Sequence, residues 1–540
     1  STITQQLVKS ALLSPERTLS RKLKEILLAI WTEQLYTKNE ILQMYLNQVP
    51  YGGSAYGIEE AAKIYFGKSA RYLTLPEAAL LAGLTRAPSL YSPFVDKNLA
   101  MQRRNDVLRL MYHDGYISKL EHDVAVKTDI SVKPVATNIR APHFVFYTKT
   151  FLENEYGSKQ VEEGGLRVQT TLDLDIQTVA EKIMKDEIEK LKGLDVSNGG
   201  MVVLKPDTGE ILAMVGSVDY FSEDYGAFNV TTALRQPGST LKPVLYALAL
   251  QRGYTAASPI DDSPIIFQVP GGEPYRPVNY DGRYHGRVTL RHALSNSYNI
   301  PAVKVLNSIG VQPFVDFAKE LGIDTWNDTS RFGLSLSLGG GEITLLDLAQ
   351  VYSVFATGGD RVEPTPVSRI VDSKERVVRE LFPHRSHVLN DGVAFIISDI
   401  LSDNVARQQA FGPHSALEVP GHIVSVKTGT TDEKKDNYTV GYTPEFLVAV
   451  WVGNNDNRPM NPYLTSGITG AAPIWNRMMT YLLENKATGK KISPPDDVIS
   501  KPCYGGGRVE YFLRGTEAPG NCIDSIFRPR QGHNATIRTN

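Results

Sequence analysis

Residues 236–251, QPGSTLKPVLYALALQ, join a Pro-Gly turn to the tetrad Ser239-Thr240-Leu241-Lys242 and to an apolar segment. The apolar spacing over 241–251 predicts a helix with Ser239 at its start. Lys242 lies three residues further along the same helical face, so its amine can reach the Ser239 hydroxyl. A serine is a poor nucleophile until a neighbouring base takes its proton. The stretch therefore predicts a nucleophilic serine with a lysine base.

Two further motifs follow in order, Ser297-Tyr298-Asn299 and Lys427-Thr428-Gly429-Thr430. Each motif alone is weak, because a capped helix, a solvated lysine and an ordinary strand would explain it. The ordered set of three is a strong signal for an acyl-transferring serine enzyme. The charge of Lys427 and the positive helix end would lower the pKa of Lys242, as a lysine base requires.

The third motif predicts a strand at the substrate groove. Along a strand, Lys427 and Gly429 point to one face and Thr428 and Thr430 to the other. Without a side chain at Gly429, a substrate backbone could approach closely and add as an extra strand. The backbone N–H groups of Ser239 and Thr430 would then form an oxyanion hole.

The pattern around these motifs predicts an α+β domain with helices packed on an antiparallel sheet. A hairpin is expected where Pro206-Asp207-Thr208-Gly209 separates two apolar runs. Segments that alternate or are apolar predict strands at 166–172, 201–204, 211–215, 424–430, 438–442 and 447–452. Helical periodicity predicts helices at 176–191, 241–251 and 345–355.

The first part of the chain, to about residue 130, is predicted to be almost entirely helical. Apolar residues recur at helical spacing from Leu19 through Leu23, Ile26, Leu27 and Ile30. Capping boxes are expected where Thr37 precedes Glu40 and where Thr74 precedes Glu77. Residues 131–165 lack sustained periodicity and are predicted to form a linker region.

Composition limits the functional classes. With 540 residues, the chain predicts two or three domains. Its net charge is 57 − 59 = −2, which does not suggest a nucleic-acid partner. No run reaches the roughly 18 apolar residues that a membrane span needs. Two cysteines, Cys503 and Cys522, leave a disulfide and two free thiols equally open.

With these motifs, the chain resembles the bifunctional class A penicillin-binding proteins. The resemblance extends to 166–173, 293–303, 338–342 and 440–444 in the second half. It implies a serine β-lactamase/transpeptidase-like domain that cross-links peptidoglycan stem peptides ending in D-Ala-D-Ala and is acylated by β-lactams. Ser239 would be the nucleophile, Lys242 the base, and Ser297, Asn299 and Lys427 the proton network. Thr428, Gly429 and Thr430 would bind the substrate, with the two threonines at its carboxylate.

The first half resembles the peptidoglycan glycosyltransferase domain of the same family, which is all-α and lysozyme-like. The stretches 1–9, 21–25, 45–47, 51–57 and 65–68 carry the likeness. It implies that this half polymerises a lipid-linked disaccharide-peptide precursor. Lys9 and Arg17 would bind its pyrophosphate, and Glu25 would be a catalytic carboxylate, although an ion pair with Arg21 explains Glu25 equally well. The substrate site would include Ser1 and Gln6.

The resemblance carries further expectations. The family needs an earlier glutamate base and a membrane anchor, and neither occurs in this sequence, so we expect the chain as given to be inactive in glycosyl transfer. Both catalytic parts would lie on the extracytoplasmic side of the cell membrane, where oxidising conditions favour a Cys503–Cys522 disulfide. Transpeptidation would need no cofactor, and a divalent cation would serve the glycosyltransferase.

The predicted domain limits are 1–130 for the glycosyltransferase part, 131–165 for the linker, 166–490 for the transpeptidase and 491–540 for a tail. A class A β-lactamase is disfavoured because no Glu-x-x-Leu-Asn segment lies between Asn299 and Lys427. A D,D-carboxypeptidase and a penicillin sensor remain alternatives, because the motifs do not decide whether an amine, water or nothing resolves the acyl group.

Overall fold

A computed structural model describes residues 2–12, 19–52, 55, 57–87, 91, 93, 97–132, 139–222, 226–268, 273–461, 467–503, 509–517 and 522. The chain divides into two compact units, residues 1–138 and residues 139–540.

The first unit is helical, as its sequence predicts. Its helices are α1 (Ile3–Leu12), α2 (Leu19–Leu35), α3 (Lys38–Gln48), α4 (Ile58–Phe66), α5 (Leu75–Leu84), α6 (Lys97–His113) and α7 (Lys119–Lys127). Both predicted capping boxes are confirmed: the backbone N–H groups of Thr37 and Thr74 donate to Glu40 and Glu77, each at 2.7 Å. These contacts satisfy N–H groups that a helix start leaves without partners.

Helix α2 has an apolar side that faces outward. The predicted helix is present, but the exposed fractions of Leu23, Leu27 and Trp31 are 64%, 63% and 69%. Within the described residues, no helix is both long enough and apolar enough to cross a bilayer.

The second unit mixes helices and strands. Its helices are α8 (Pro142–Tyr156), α9 (Ser158–Glu163), α10 (Leu174–Leu191), α11 (Lys242–Gln251), α12 (Leu290–Ser295), α13 (Asn299–Ile309), α14 (Val311–Glu320), α15 (Leu345–Ala356), α16 (Asp391–Ser402), α17 (Gln408–Phe411) and α18 (Ala471–Asn485). Its strands are β1 (Arg167–Thr170), β2 (Asn198–Leu204), β3 (Ile211–Val215), β4 (Pro259–Asp262), β5 (Gly286–Thr289), β6 (Asp360–Val362), β7 (Val367–Val371), β8 (Val377–Glu380), β9 (Arg385–His387), β10 (Ser425–Thr430), β11 (Asp436–Tyr442), β12 (Leu447–Gly453), β13 (Val498–Pro502) and β14 (Val509–Leu513).

A five-stranded antiparallel sheet forms the centre of this unit, in the order β10-β11-β12-β2-β3. Strand β12 is buried throughout, and its side chains alternate between two cores. Ala449 and Trp451 pack in a core with residues of α11, α15 and α16, whereas Val448 and Val450 pack with residues of α10 and α18. Helices therefore cover both faces, which explains why the strand is apolar without interruption. Strand β10, which carries the third motif, lies at the edge.

Two segments are more structured than the sequence predicts. The expected linker, 131–165, contains α8 and α9, and the α8 side chains Phe144 and Leu152 are buried in the second unit. The expected tail contributes β13 and β14, and Cys503 is bonded to Cys522 as the resemblance implies. Helix α8 was not predicted because apolar and polar residues are mixed around it and give no helical periodicity. The domain limits themselves stay a prediction.

Candidate active site

The candidate nucleophile lies in a tight turn before α11. Gly238–Leu241 form one 3₁₀ turn, in which Gly238 has a φ of 58°. The buried Tyr352 hydroxyl on α15 donates to the Thr240 carbonyl at 2.7 Å, and the Thr240 hydroxyl donates to the Pro237 carbonyl at 2.7 Å. These bonds fix the backbone around Ser239, which is half-buried.

Three glycines let neighbouring backbone segments approach this turn. A Cβ on Gly339 would lie 2.3 Å from the Gly238 nitrogen, and one on Gly238 would lie 2.9 Å from the Thr430 carbonyl oxygen. A Cβ on Gly429 would lie 2.5 Å from the Pro237 carbonyl oxygen. The expectation that Gly429 leaves room for substrate is therefore wrong, because the turn carrying Ser239 occupies that space.

The structure brings together the two lysines and the second motif. The Lys242 Nζ donates to the Ser297 carbonyl at 2.5 Å and to the Asn299 Oδ1 at 2.7 Å. The Lys427 Nζ donates to the Ser297 Oγ at 2.8 Å and to the Thr428 carbonyl at 2.8 Å. The Ser297 hydroxyl, 3.4 Å from the Lys242 Nζ, thus lies between both amines.

Burial lowers the pKa of both lysine ammonium groups, so that the neutral amines are favoured. Lys242 is completely buried, and this burial, together with the charge of Lys427, holds its pKa well below the ordinary lysine value. Burial and the charge of Arg407 lower the pKa of Lys427 to about 7. Neutral amines at moderate pH can accept protons, which is the property that the lysine base requires.

Arg407 is a contributor that the sequence analysis missed. It is buried, its guanidinium donates to the Leu401 carbonyl, and it lines a cavity of about 10 Å³ with Lys427 and Thr428. No motif surrounds it, so only the fold shows that its charge acts on the third motif.

The second motif has a strained backbone. Ser297 has a φ of 61°, in the left-handed region that side chains other than glycine rarely adopt. Such a conformation costs about 1–3 kcal/mol and persists only where the surroundings fix it. This backbone conformation directs the Ser297 side chain toward the two lysines, which accounts for its cost in free energy.

The two threonines of the third motif differ in exposure. Thr428 is buried, and its side chain packs next to Gly467. Thr430 is half-buried, and its hydroxyl accepts a hydrogen bond from the Asn437 Nδ2 at 3.3 Å. Thr430 is therefore the more open of the two predicted carboxylate ligands.

In the first unit, Glu25 is buried and paired with two cations. Its carboxylate contacts the Arg21 guanidinium at 3.2 Å and also the Lys22 amine, and the hydrogen bond from Lys22 contributes most to lowering its pKa. Lys9 is exposed, and the Gln6 Oε1 accepts a hydrogen bond from the Tyr45 hydroxyl at 3.2 Å. The other two predicted ligands of this unit, Ser1 and Arg17, lie outside the described residues.

The expected divalent cation does not fit the described part of this site. Its candidate carboxylate is Glu25, whose oxygens are held by Arg21 and Lys22. Among the residues that the structure describes, no three His, Cys, Asp or Glu side chains are grouped to hold a metal ion. We therefore assign no step to a cation.

A Ser-x-x-Lys turn with a buried lysine, a Ser-x-Asn loop and an edge-strand Lys-Thr-Gly define the class of serine enzymes that form an acyl-enzyme and react with penicillin. Comparison with known families agrees: residues 199–480 match the penicillin binding protein transpeptidase domain, and residues 1–112 match the transglycosylase family.

Relatives match along nearly the whole chain. Penicillin-binding protein 1A of Aquifex aeolicus is 33% identical, over 97% of this chain and 83% of its own length. Penicillin-binding protein 2D of Bacillus subtilis is also 33% identical, over 97% of this chain and 77% of its own length. The crystal structure of penicillin-binding protein 1A from Haemophilus influenzae has the same fold, with a TM-score of 0.64 and 24% identity, over 96% of this chain and 94% of that one.

The chain therefore belongs to the bifunctional penicillin-binding proteins, which join a transglycosylase domain to a transpeptidase domain. It is an enzyme of peptidoglycan synthesis, and its family binds peptidoglycan and β-lactams at the cell membrane.

Proposed function

We propose that Ser239 cross-links stem peptides ending in D-Ala-D-Ala through an acyl-enzyme. The Ser239 Oγ attacks the carbonyl carbon of the penultimate D-Ala, its proton passes to Lys242, and the bond to the terminal D-Ala nitrogen breaks. That nitrogen takes up a proton and leaves as D-Ala. An amine of a neighbouring stem then attacks the ester, forms the new amide and restores the serine.

The observation that supports this proposal is the meeting of all three motifs around two buried amines. Because Lys242 is buried beside Lys427, its neutral form is favoured, so it is the proposed base. Ser297 lies between the amines, as a relay that returns the proton to the leaving nitrogen requires. Asn299 orients Lys242 through its Oδ1.

The substrate site follows from the edge strand. A stem peptide would pair with β10, whose outer edge has no partner strand in the described sheet. The Ser239 and Thr430 N–H groups would stabilise the oxyanion, since the two segments pack together at Gly238. The carboxylate would contact Thr428 and Thr430, while Gly429 keeps the strand against the turn that carries Ser239.

For the first unit we propose a part in glycosyl transfer from a lipid-linked disaccharide-peptide at the extracytoplasmic membrane surface, together with the earlier glutamate base that the family resemblance requires. Glu25 would be its catalytic carboxylate, and Lys9 and Arg17 would neutralise the pyrophosphate, with Gln6 and Ser1 at the substrate. The cluster of Arg21, Lys22 and Glu25 supports this assignment because positive charge at this point would stabilise an anionic leaving group.

Mass spectrometry after reaction with benzylpenicillin tests the nucleophile. One adduct is expected on the peptide containing Ser239, none in Ser239→Ala, and an unchanged adduct in the control Ser308→Ala, whose serine lies on α13. An adduct that survives Ser239→Ala would show that another residue is acylated. Product analysis with an amine acceptor then separates cross-linking from carboxypeptidase activity.

A further inference from the structure

A carboxylate outside the three motifs lies completely buried behind the second one. Asp262, the last residue of β4, accepts hydrogen bonds from the Asn279 Nδ2 at 2.8 and 2.9 Å and from the His285 backbone N–H at 3.0 Å. The His285 Nδ1 lies 2.7 Å from the same carboxylate. Burying a charged group is costly unless it is hydrogen-bonded, and Asp262 meets that condition through two residues.

The first of these residues, Asn279, connects Asp262 to the second motif. Its Nδ2 faces Asp262, while its Oδ1 accepts from the Asn299 backbone N–H at 2.8 Å and from the Ile300 N–H at 3.3 Å. Those two N–H groups belong to the first turn of α13 and would otherwise have no intrahelical partner. Asn279 therefore fixes the helix start that aims the Asn299 Oδ1 at Lys242.

The second residue, His285, supports the motif from its middle position. Its ring stacks on the Tyr298 ring, with centroids 4.0 Å apart and planes 14° apart. Tyr298 stands between the strained Ser297 and Asn299. One carboxylate thus restrains the motif at two points, which explains how the left-handed backbone of Ser297 is maintained.

We propose that Asp262 is a positioning residue for acyl transfer, which holds the Ser297–Asn299 segment against Lys242 through Asn279 and His285 and places a negative charge near the buried amine. This inference rests on the proposed roles of Ser239 and Lys242.

The charge has a measurable consequence. Lys427 on β10, Asp432 after β10 and Asp262 on β4 are the charged groups that act on Lys242, and the pKa of Lys242 is lowered by burial and by Lys427 but raised in part by the two aspartates. Around Asp262 itself lie His285, Asp281, Tyr246 and Tyr298. Removing the charge of Asp262 should therefore lower the pKa of Lys242 further.

The test is the rate of acylation by benzylpenicillin as a function of pH in the full chain. Asp262→Asn turns an amide donor toward the Asn279 Nδ2, and Asn279→Asp sets two buried carboxylates against each other. Each should lower the maximal rate about 10²-fold, as a misplacement of about 1 Å can. In Asp262→Asn the acid limb of the pH–rate profile, where the rate falls toward low pH, should also move to lower pH, because the fraction of neutral Lys242 rises.

The double variant Asp262→Asn with Asn279→Asp restores a donor facing a carboxylate and keeps one negative charge. Its rate should exceed that of either single variant about tenfold, within the range of coupled pairs, and its acid limb should return toward that of the original chain. Asp261→Asn is the matched control, since the neighbouring side chain is exposed and pairs with Lys304. It should leave the rate and the limb unchanged.

If Asp262→Asn lowers the melting temperature but leaves both the rate and the acid limb in place, Asp262 is only structural and the inference is overturned. The same holds if the double variant is no faster than Asn279→Asp, a comparison that also serves if Asp262→Asn does not fold. Failure of the proposed function is separate: it would appear as acylation that survives Ser239→Ala.

Discussion

Two of the places where the second unit buries positive charge neutralise it differently. Arg291 on α12 donates to Glu510 of β14 at 2.8 Å, to Asp399 at 2.5 Å and to Asp403 at 3.1 Å. Lys242 and Lys427 instead donate to carbonyl, amide and hydroxyl oxygens. In the described part of the chain, neither amine has a carboxylate within 4.0 Å.

The consequence of this difference is whether the charge can be lost. Although burial opposes it, hydrogen bonding to Glu510 raises the pKa of Arg291 above its usual value, so the cation is permanent. Burial without a carboxylate partner lowers the pKa of both lysines. Arg291, paired with carboxylates, supports the fold, whereas a lysine held by neutral acceptors can exchange a proton.

Replacing Lys242 by arginine should break the catalytic side of this contrast and have the largest effect. Arginine keeps the charge but cannot become neutral at useful pH. Loss of a positioned base typically costs roughly 10²–10⁴-fold in rate. Stopped-flow acylation by a fluorescent penicillin should show this loss with an unchanged circular dichroism spectrum. Near-normal acylation would exclude Lys242 as the base.

Replacing Arg291 by methionine should disrupt the structural half of this contrast, the buried cation that is paired with carboxylates. Removing one partner of a buried ion pair typically costs about 3–5 kcal/mol, because the remaining charges lose compensation. Urea unfolding should show this loss of free energy. At temperatures where the variant is folded, its acylation rate should stay close to normal. A slow rate in the folded variant would mean that Arg291 also serves catalysis.

The disulfide allows a milder test of the structural cluster around Arg291. The hairpin of β13 and β14 carries Glu510, and the bond between Cys503 and Cys522 attaches this hairpin. Replacing both cysteines by serine should cost about 3 kcal/mol in the chain-entropy model. Thermal unfolding of oxidised, reduced and substituted protein should give a lower melting temperature for the last two. Equal melting temperatures would show that the hairpin holds without the bond.

The smallest effect, counted per pH unit, should appear in the pH dependence of stability. The pKa of Lys427 is about 7 in the folded chain, whereas an ordinary lysine, as in the unfolded chain, has a pKa of 10.5. Between these pH values the unfolded state therefore binds more protons. Stability therefore rises with pH in this window, by at most about 1.4 kcal/mol per pH unit. Relative to Lys427→Met, the original chain should gain free energy of unfolding from pH 7 to pH 10. A constant difference would contradict the lowered pKa.

The sequence predicted the parts of the site that local patterns encode. The three motifs, the edge strand at 425–430 and the helix after Ser239 follow from spacing and periodicity, and the family likeness gave their order a meaning. Asp262, Asn279 and Arg407 could not be found in this way, because no local pattern marks them and their roles arise from contacts made by folding. Glu510 lies in a segment that composition alone suggested was a tail.

The first unit shows a similar limit. Apolar spacing predicted α2 correctly, but periodicity cannot say which neighbour covers an apolar face, and here Leu23 and Leu27 are exposed. Gly429 shows the same limit at a single residue: a glycine in a strand indicates close approach, but only the fold shows that the nucleophile turn is what approaches.

The three glycines around Ser239 also restrict how this enzyme can evolve away from its inhibitors. Every side chain is larger than a hydrogen atom, so any substitution at Gly238, Gly339 or Gly429 would push the nucleophile turn from its backbone neighbours. Substitutions that give drug resistance should therefore be rare at these positions, which lie nearest the proposed nucleophile Ser239. Adaptive changes should instead collect at exposed positions, such as Val278, Tyr280 and Tyr284.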